Sequence, residues 1–263
     1  MENEALIRLA IFIGLFALFA MTEAALPRRK RTQPRGSRWL TNWAIVILDT
    51  ITLRLLALAL PLLAVGAALD AQTQGWGLMN AFHLPLWLAI VLTVLIFDLA
   101  IWAQHLVTHK IPFLWRFHRV HHADRDIDVT TAIRFHPVEI ALSMLLKIGL
   151  VYLLGPPAIG IIIFEIVLNG TAMFNHANIK LPGPVDAVIR RVLVTPDMHR
   201  VHHSIFRHEH DSNYGFALSI WDRLFGTYIA QPEQGHDRMT VGLEWQDESP
   251  SRLGWSLMLP FRK

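Results

Sequence analysis

Five apolar runs separated by polar stretches organise the chain. Leu9 to Met21 is unbroken and reaches Leu26 if Glu23 sits at an interface, which fits a short membrane span or a signal peptide. The residues before it, Met1 to Glu4, are acidic where a signal peptide would be basic, so an uncleaved helix is expected. The second run, Trp43 to Leu69, carries Asp49 and Arg54 in its first half, and that half is expected to lie along the interface. Leu84 to Ala103 is the cleanest span, about 20 residues and so about 30 Å of helix. Asp98 interrupts it, and it runs directly into His105. Val138 to Leu154 and Ala158 to Phe174 follow, divided by Gly155-Pro156-Pro157, a tight-turn signal. From Lys180 onward the chain is polar or mixed and is placed outside the bilayer.

Composition strengthens the membrane reading, since 53% hydrophobic and 17% charged over 263 residues is more apolar surface than one soluble domain buries. The formal charge is only +3, and six of the 24 basic residues fall in one stretch, Arg28 to Arg38. Between two apolar runs this is a topology signal; a nucleic-acid surface would need a folded basic face with stacking aromatics. The positive-inside rule then puts the N-terminus outside, 28–42 inside, 70–83 outside, His105 to His136 inside, the Pro-Pro turn outside and everything from His176 inside. All the clustered histidines land on the cytoplasmic side.

The chain has no cysteine, so a metal must be held by nitrogen or oxygen. There are 14 histidines, and eleven lie between His105 and His208. Three groups stand out: His105-Leu-Val-Thr-His109, His118-Arg-Val-His121-His122 and His199-Arg-Val-His202-His203, with His176 in Phe174-Asn175-His176-Ala177-Asn178. Positions i, i+3 and i+4 share a helical face, so each group can aim its imidazoles at one point. A structural zinc takes four ligands and a hydrolytic one three, so eight or nine histidines are too many for one ion and two metals are expected. Imidazole suits zinc, copper, iron and nickel alike, which leaves the metal open at this point.

These motifs, in this order and with the first at the end of a span, resemble the fatty acid hydroxylase and sterol desaturase superfamily of membrane di-iron enzymes. Phe135-His136-Pro137-Val138-Glu139, Asn213-Tyr214-Gly215 and Trp221-Asp222-Arg223-Leu224-Phe225-Gly226-Thr227-Tyr228 extend the resemblance over roughly Phe97 to Tyr228. It implies an all-α, multi-spanning membrane helical bundle whose cytoplasmic helical cap holds a histidine-cluster dimetal site. It divides the chain into N-terminal membrane helices and basic loop (1–96), a catalytic region (97–230) and a C-terminal cytoplasmic or interfacial tail (231–263). By the resemblance the metal ligands are His105, His109, His118, His121, His122, His199, His202 and His203, with His176 a ninth. Related lipid hydroxylases carry a further histidine four residues before His176, where this chain has Ala172.

The resemblance further implies two Fe ions, with Zn possible in purified protein. O2 and electrons from a separate electron-transfer protein would oxidise a C–H bond of a fatty acyl, sterol or related lipid drawn from the bilayer. Hydroxylation, desaturation and ether-lipid cleavage stay open, as does the choice of bacterial inner membrane or endoplasmic reticulum. A membrane metal-binding or transport protein is the rival outside the enzymes, but a transporter should place its ligands near mid-membrane. Asp98, on the helical face of His105 and His109, is expected to hydrogen-bond a ligand imidazole or, as the alternative, to serve helix packing alone. His136 is a ligand, a partner to one, or a residue at a helix entrance. Asp197 and Asp222 are weaker candidates of the same kind; His208 and His210 lie in a charged loop, and His83 and His236 stand isolated. Trp221 to Tyr228 is expected to pack the cap against the metal helices. Lys147 and Glu165 each lie nine residues from Pro156, so antiparallel helices bring both about 13 Å from the turn, where they are expected to pair.

Overall fold

The computed structural model describes residues 3–59 and 63–262, and among these the regular elements are all helical, with three isolated β-bridges in place of any strand. In chain order the first ten α-helices are α1 (Glu4–Ala25), α2 (Arg35–Ala59), α3 (Ala64–Gln74), α4 (Leu78–Ala81), α5 (Leu86–Lys110), α6 (Pro112–His122), α7 (Pro137–Leu154), α8 (Ala158–His176), α9 (Gly183–Ile189) and α10 (Pro196–His202), and short helices follow in the C-terminal region. Five of them, α1, α2, α5, α7 and α8, are long and apolar enough to cross a membrane. The chain is a multi-spanning membrane bundle. Leu6, Leu9 and Ile13 of α1 and Trp87, Val91 and Leu95 of α5 point outward, while Phe97 and Phe164 pack together between α5 and α8.

Helix ends follow local chemistry. Pro112 opens α6 two residues after α5 closes at Lys110, because a proline loses nothing at a helix start and cannot continue the helix before it. HxxxH on the last turns of α5 therefore faces HxxHH at the end of α6. His136 caps α7: its Nδ1 accepts the backbone N–H of Val138. At the other end Gly155, at φ +63°, terminates α7 in the left-handed conformation that favours glycine, and the prolines that follow force a new helix to begin at Ala158.

The second apolar run differs from expectation. Its helix starts at Arg35, eight residues before Trp43, and α2 passes straight through Asp49 and Arg54 as a spanning helix instead of lying along the interface. Asp49 is tolerated because it faces the bundle interior, as intramembrane acids do. The run also crosses residues 60–62, and the acidic start includes Met1 and Glu2; all of these lie outside the described residues.

The basic stretch is more than a topology signal. Arg38 is fully buried, with its guanidinium on both oxygens of Asp124 at 2.7 and 2.9 Å and on Asp128 at 2.9 Å. Burial alone would raise the Asp124 carboxyl, but Arg38 overrides it and holds the group at about 2. Arg28 pairs with Asp197 at 3.3 Å, and Arg29 donates to the Met239 carbonyl. The α1–α2 loop is thus built into the same cap as the third histidine motif. The C-terminal region is likewise integral: Arg134, fully buried, donates to the carbonyls of Val120 and Pro250 and to Asn42 and Ser256.

Candidate metal centre

Nine imidazoles converge in two buried groups. His105, His109, His118, His122 and His202 form one; His121, His176, His199 and His203 form the other. Within each group one ring nitrogen per residue lies within 4.8 Å of all the others, so each group could hold an ion. The i, i+3, i+4 spacing explains the division. In each HxxHH motif neighbouring rings point to different centres, so α6 sends His118 and His122 to one group and His121 to the other, while α10 supplies His199 and, at its end, His202 and His203.

The nitrogens are spaced as ligands would be. His176 Nε2 lies 3.1 Å from His121 Nε2, 3.1 Å from His199 Nε2 and 3.3 Å from His203 Nε2. A neutral ring nitrogen is donor or acceptor once, so hydrogen bonds cannot account for three such contacts. Nitrogens about 2.0–2.1 Å from a shared ion would stand about 3.0–3.4 Å apart at octahedral to tetrahedral angles. Both ring nitrogens of His109 and of His122, and Nε2 of His202, are buried without a hydrogen-bond partner, and a metal would answer one nitrogen of each ring. Burial, reinforced by the neighbouring imidazoles, pushes His121, His122, His199 and His203 well below the usual histidine value; burial does the same to His202, so these rings are neutral and able to ligate.

Outer partners fix the rings. Nδ1 of His105 donates to the Tyr214 carbonyl, that of His202 to Ser212, that of His176 to Ala172 and that of His118 to the Glu139 carboxylate, each at 2.7 Å. With Nδ1 donating, Nε2 presents its lone pair inward. The acceptor at Ala172 is the backbone carbonyl, which does not depend on the side chain at that position. Tyr214 is held in turn by Asp222, which accepts the backbone N–H of Tyr214 at 2.8 Å and of Gly215 at 2.9 Å and the indole N–H of Trp102 at 3.0 Å. A side chain at Gly215 would meet Asp222 Oδ2 and Val194, so this close approach needs glycine.

Asp98 and His136 stand outside both groups. Asp98 accepts from the Trp221 indole at 2.8 Å and the Leu218 backbone at 3.2 Å; it pins the cap to α5 and takes no hydrogen bond from an imidazole. His136 belongs to a helix entrance, with Nδ1 capping α7 and Nε2 3.3 Å from the Leu257 carbonyl, and it joins neither group. The bond expected of Asp98 is made by Glu139, two residues from Pro137 in the motif itself, where proline at the start of α7 turns its first-turn acid towards α6. Trp221 and Phe225 pack against α5 as expected, Phe225 stacking on Trp102 at 4.5 Å. Asp197 serves the cap through Arg28 and Arg200. His210 stacks on Trp115 outside both groups, His208 is exposed, and His236 is buried 3.7 Å from Asp197.

A cavity of about 330 Å³ adjoins the five-histidine group, bounded by α1, α2, α5, α7 and α8. His105 and His118 are part of its lining. Lys147 and Glu165 line it together and pair at 3.2 Å as expected, and Arg8 of α1 joins Glu165 from the other side.

A membrane bundle that gathers nine buried imidazoles into two groups defines a membrane histidine-cluster protein whose clusters could each hold a metal ion. The profile of the fatty acid hydroxylase family matches residues 90–227, more than half of the chain, and the chain belongs to that family. It is 27% identical over 230 residues to an ornithine lipid hydroxylase of Rhizobium tropici, covering 84% of this chain and 67% of that protein. Human alkylglycerol monooxygenase is 29% identical over 164 residues, 60% of this chain and 35% of that one. Rat cholesterol 25-hydroxylase is 27% identical over 158 residues, 59% and 51% respectively. The match thus spans from about a third to two thirds of the length of these relatives. No solved structure matches.

Proposed function

We propose that the chain is a di-iron oxygenase that hydroxylates a C–H bond of a bilayer lipid: R–H + O2 + 2 e⁻ + 2 H⁺ → R–OH + H2O. The observation that carries this is the continuity of the five-histidine group with a cavity inside the spanning bundle, so that a lipid chain entering between helices ends beside His105 and His118. His105, His109, His118, His122 and His202 would hold one iron and His121, His176, His199 and His203 the other. Two irons so held supply the oxygen-activating chemistry. The protein's own part is positioning: Glu139, Tyr214, Ser212 and Ala172 aim the rings, and the apolar cavity wall of Phe12, Leu53 and Ile101 excludes water and aligns the chain. Electrons come from a separate carrier docking on the cap, on the cytoplasmic side.

The printed names of the three relatives, an ornithine lipid hydroxylase, an alkylglycerol monooxygenase and a cholesterol 25-hydroxylase, support oxygen insertion into lipids over desaturation. Likeness to alkylglycerol monooxygenases favours oxidation of an ether-linked lipid as the second reading. Untargeted lipid mass spectrometry of cells with and without the active protein, grown under labelled oxygen, tests both. A lipid gaining one labelled oxygen is expected. Loss of two hydrogens with no label would mean desaturation, and an aldehyde with a freed glycerol would mean ether cleavage. Elemental analysis of loaded protein should find two irons per chain, and a reproducible value of one would overturn the dinuclear site.

A further inference from the structure

The cavity contains two kinds of polar wall, and they differ in whether they need a ligand. At one, Glu165 is already satisfied by Lys147 and Arg8, and Arg8 is shared with Glu4. At the other, Asp49 of α2 is only 6% exposed, and its Oδ1 is buried with no hydrogen-bond partner among the described residues. Its charged neighbour is another acid, Glu139, whose Oε1 is spent on His118 and whose Oε2 is buried and unpartnered as well. Both acids line the cavity together with His118. Two buried carboxyl groups on the lining of one cavity, each with an oxygen that no described residue answers, are costly to keep unless something in the cavity answers them.

We infer that Asp49 and Glu139 form a recognition site for an ammonium group carried by the lipid substrate, held in the cavity beside His118. An ammonium brings the opposite charge and three N–H donors, enough for Asp49 Oδ1 and Glu139 Oε2 with one to spare for Ser143 or Gln104 on the same wall. A hydroxyl has one donor and leaves the charge unanswered. The distance along the lipid from its nitrogen to the metal group then selects the carbon that reacts, which makes Asp49 a specificity-determining residue and not a catalytic one. The inference rests on the cavity being the lipid site of the proposed oxygenase.

The test is binding, which needs no turnover. Metal-loaded protein in nanodiscs is titrated with dodecylamine and with dodecanol near neutral pH, with empty discs subtracted for partitioning. The amine should bind the wild type at least tenfold more tightly than the alcohol. In Asp49→Asn the preference should fall to within about threefold, and Asp49→Glu should keep most of it, since a charge-assisted hydrogen bond is about twice as strong as a neutral one. Equal binding of the two probes by the wild type, tighter binding of the alcohol, or a preference unchanged in Asp49→Asn would overturn the inference. The wild-type comparison decides alone if the variants do not fold. Amine preference in a protein that incorporates no oxygen would overturn the oxygenase and leave the site standing; oxygen incorporation without that preference would do the reverse.

Discussion

Replacing Glu139 with Gln keeps the shape of the residue that orients His118 and removes its charge. In the structure the carboxylate takes the Nδ1 proton of His118 at 2.7 Å with both groups buried, and the freed Nε2 faces the five-histidine group. A buried hydrogen bond to a charged group contributes about 1.5–3 kcal/mol against about 1 for a neutral pair. The difference, about 0.5–2 kcal/mol, corresponds to roughly two- to thirtyfold in metal affinity. Gln can also turn its amide donor towards Nδ1, which would move the ring proton to Nε2 and silence the ligand outright. Glu139→Ala, which removes the acceptor altogether, should cost more, towards the hundredfold end for lost outer partners of metal-bound histidines. Among the nine imidazoles Glu139 contacts only His118, so a single binding step should weaken. Competition against a chelator, resolving the two ions, reads both steps. Unchanged affinity at both sites, or equal weakening of both, would refute the orientation argument.

Because Arg8 also holds Glu165, Lys147→Met should cost little, whereas Glu165→Leu leaves two cations facing each other in the bundle and should cost about 3–5 kcal/mol, with Lys147→Met partly restoring it; thermal unfolding in detergent measures the order, and the reverse order would contradict the three-way contact. The metal-free fold should weaken below pH 6.5, because the unfolded chain takes up protons near that value while burial keeps His121, His122, His199, His202 and His203 neutral. Each contributes up to about 1.4 kcal/mol per pH unit below 6.5 and nothing above it, so the melting temperature should be level from pH 8.5 to 7.5 and drop by 5.5; Asp124, held at about 2, plays no part in that window. For topology, cysteines at the exposed positions Lys30 and Gln234 should label from the cytoplasmic side and one at Gln74 from the other, whereas Ser212 is buried and would report nothing. Labelling of Gln234 from the Gln74 side would refute that orientation.

Much of this protein could be read from one dimension, because the signals are local. Apolar runs need about 20 residues to cross a bilayer, Gly155-Pro156-Pro157 must break a helix, and histidines at i, i+3 and i+4 must share a face whatever surrounds them. The Lys147–Glu165 pair followed from the same arithmetic, since both residues are counted from one turn. What spacing could not say is which distant atom meets which. The division of each HxxHH motif between two groups depends on how α6, α8 and α10 approach one another. Asp98 shares a helical face with His105, yet the indole of Trp221, 123 residues further on, reaches it first. The segment expected at an interface spans the bundle because Arg38 and Asp49 find interiors to face, one among the acids of the cap and one in the cavity. Buried charges are decided by their partners, and partners far apart in the chain are chosen only when the helices pack.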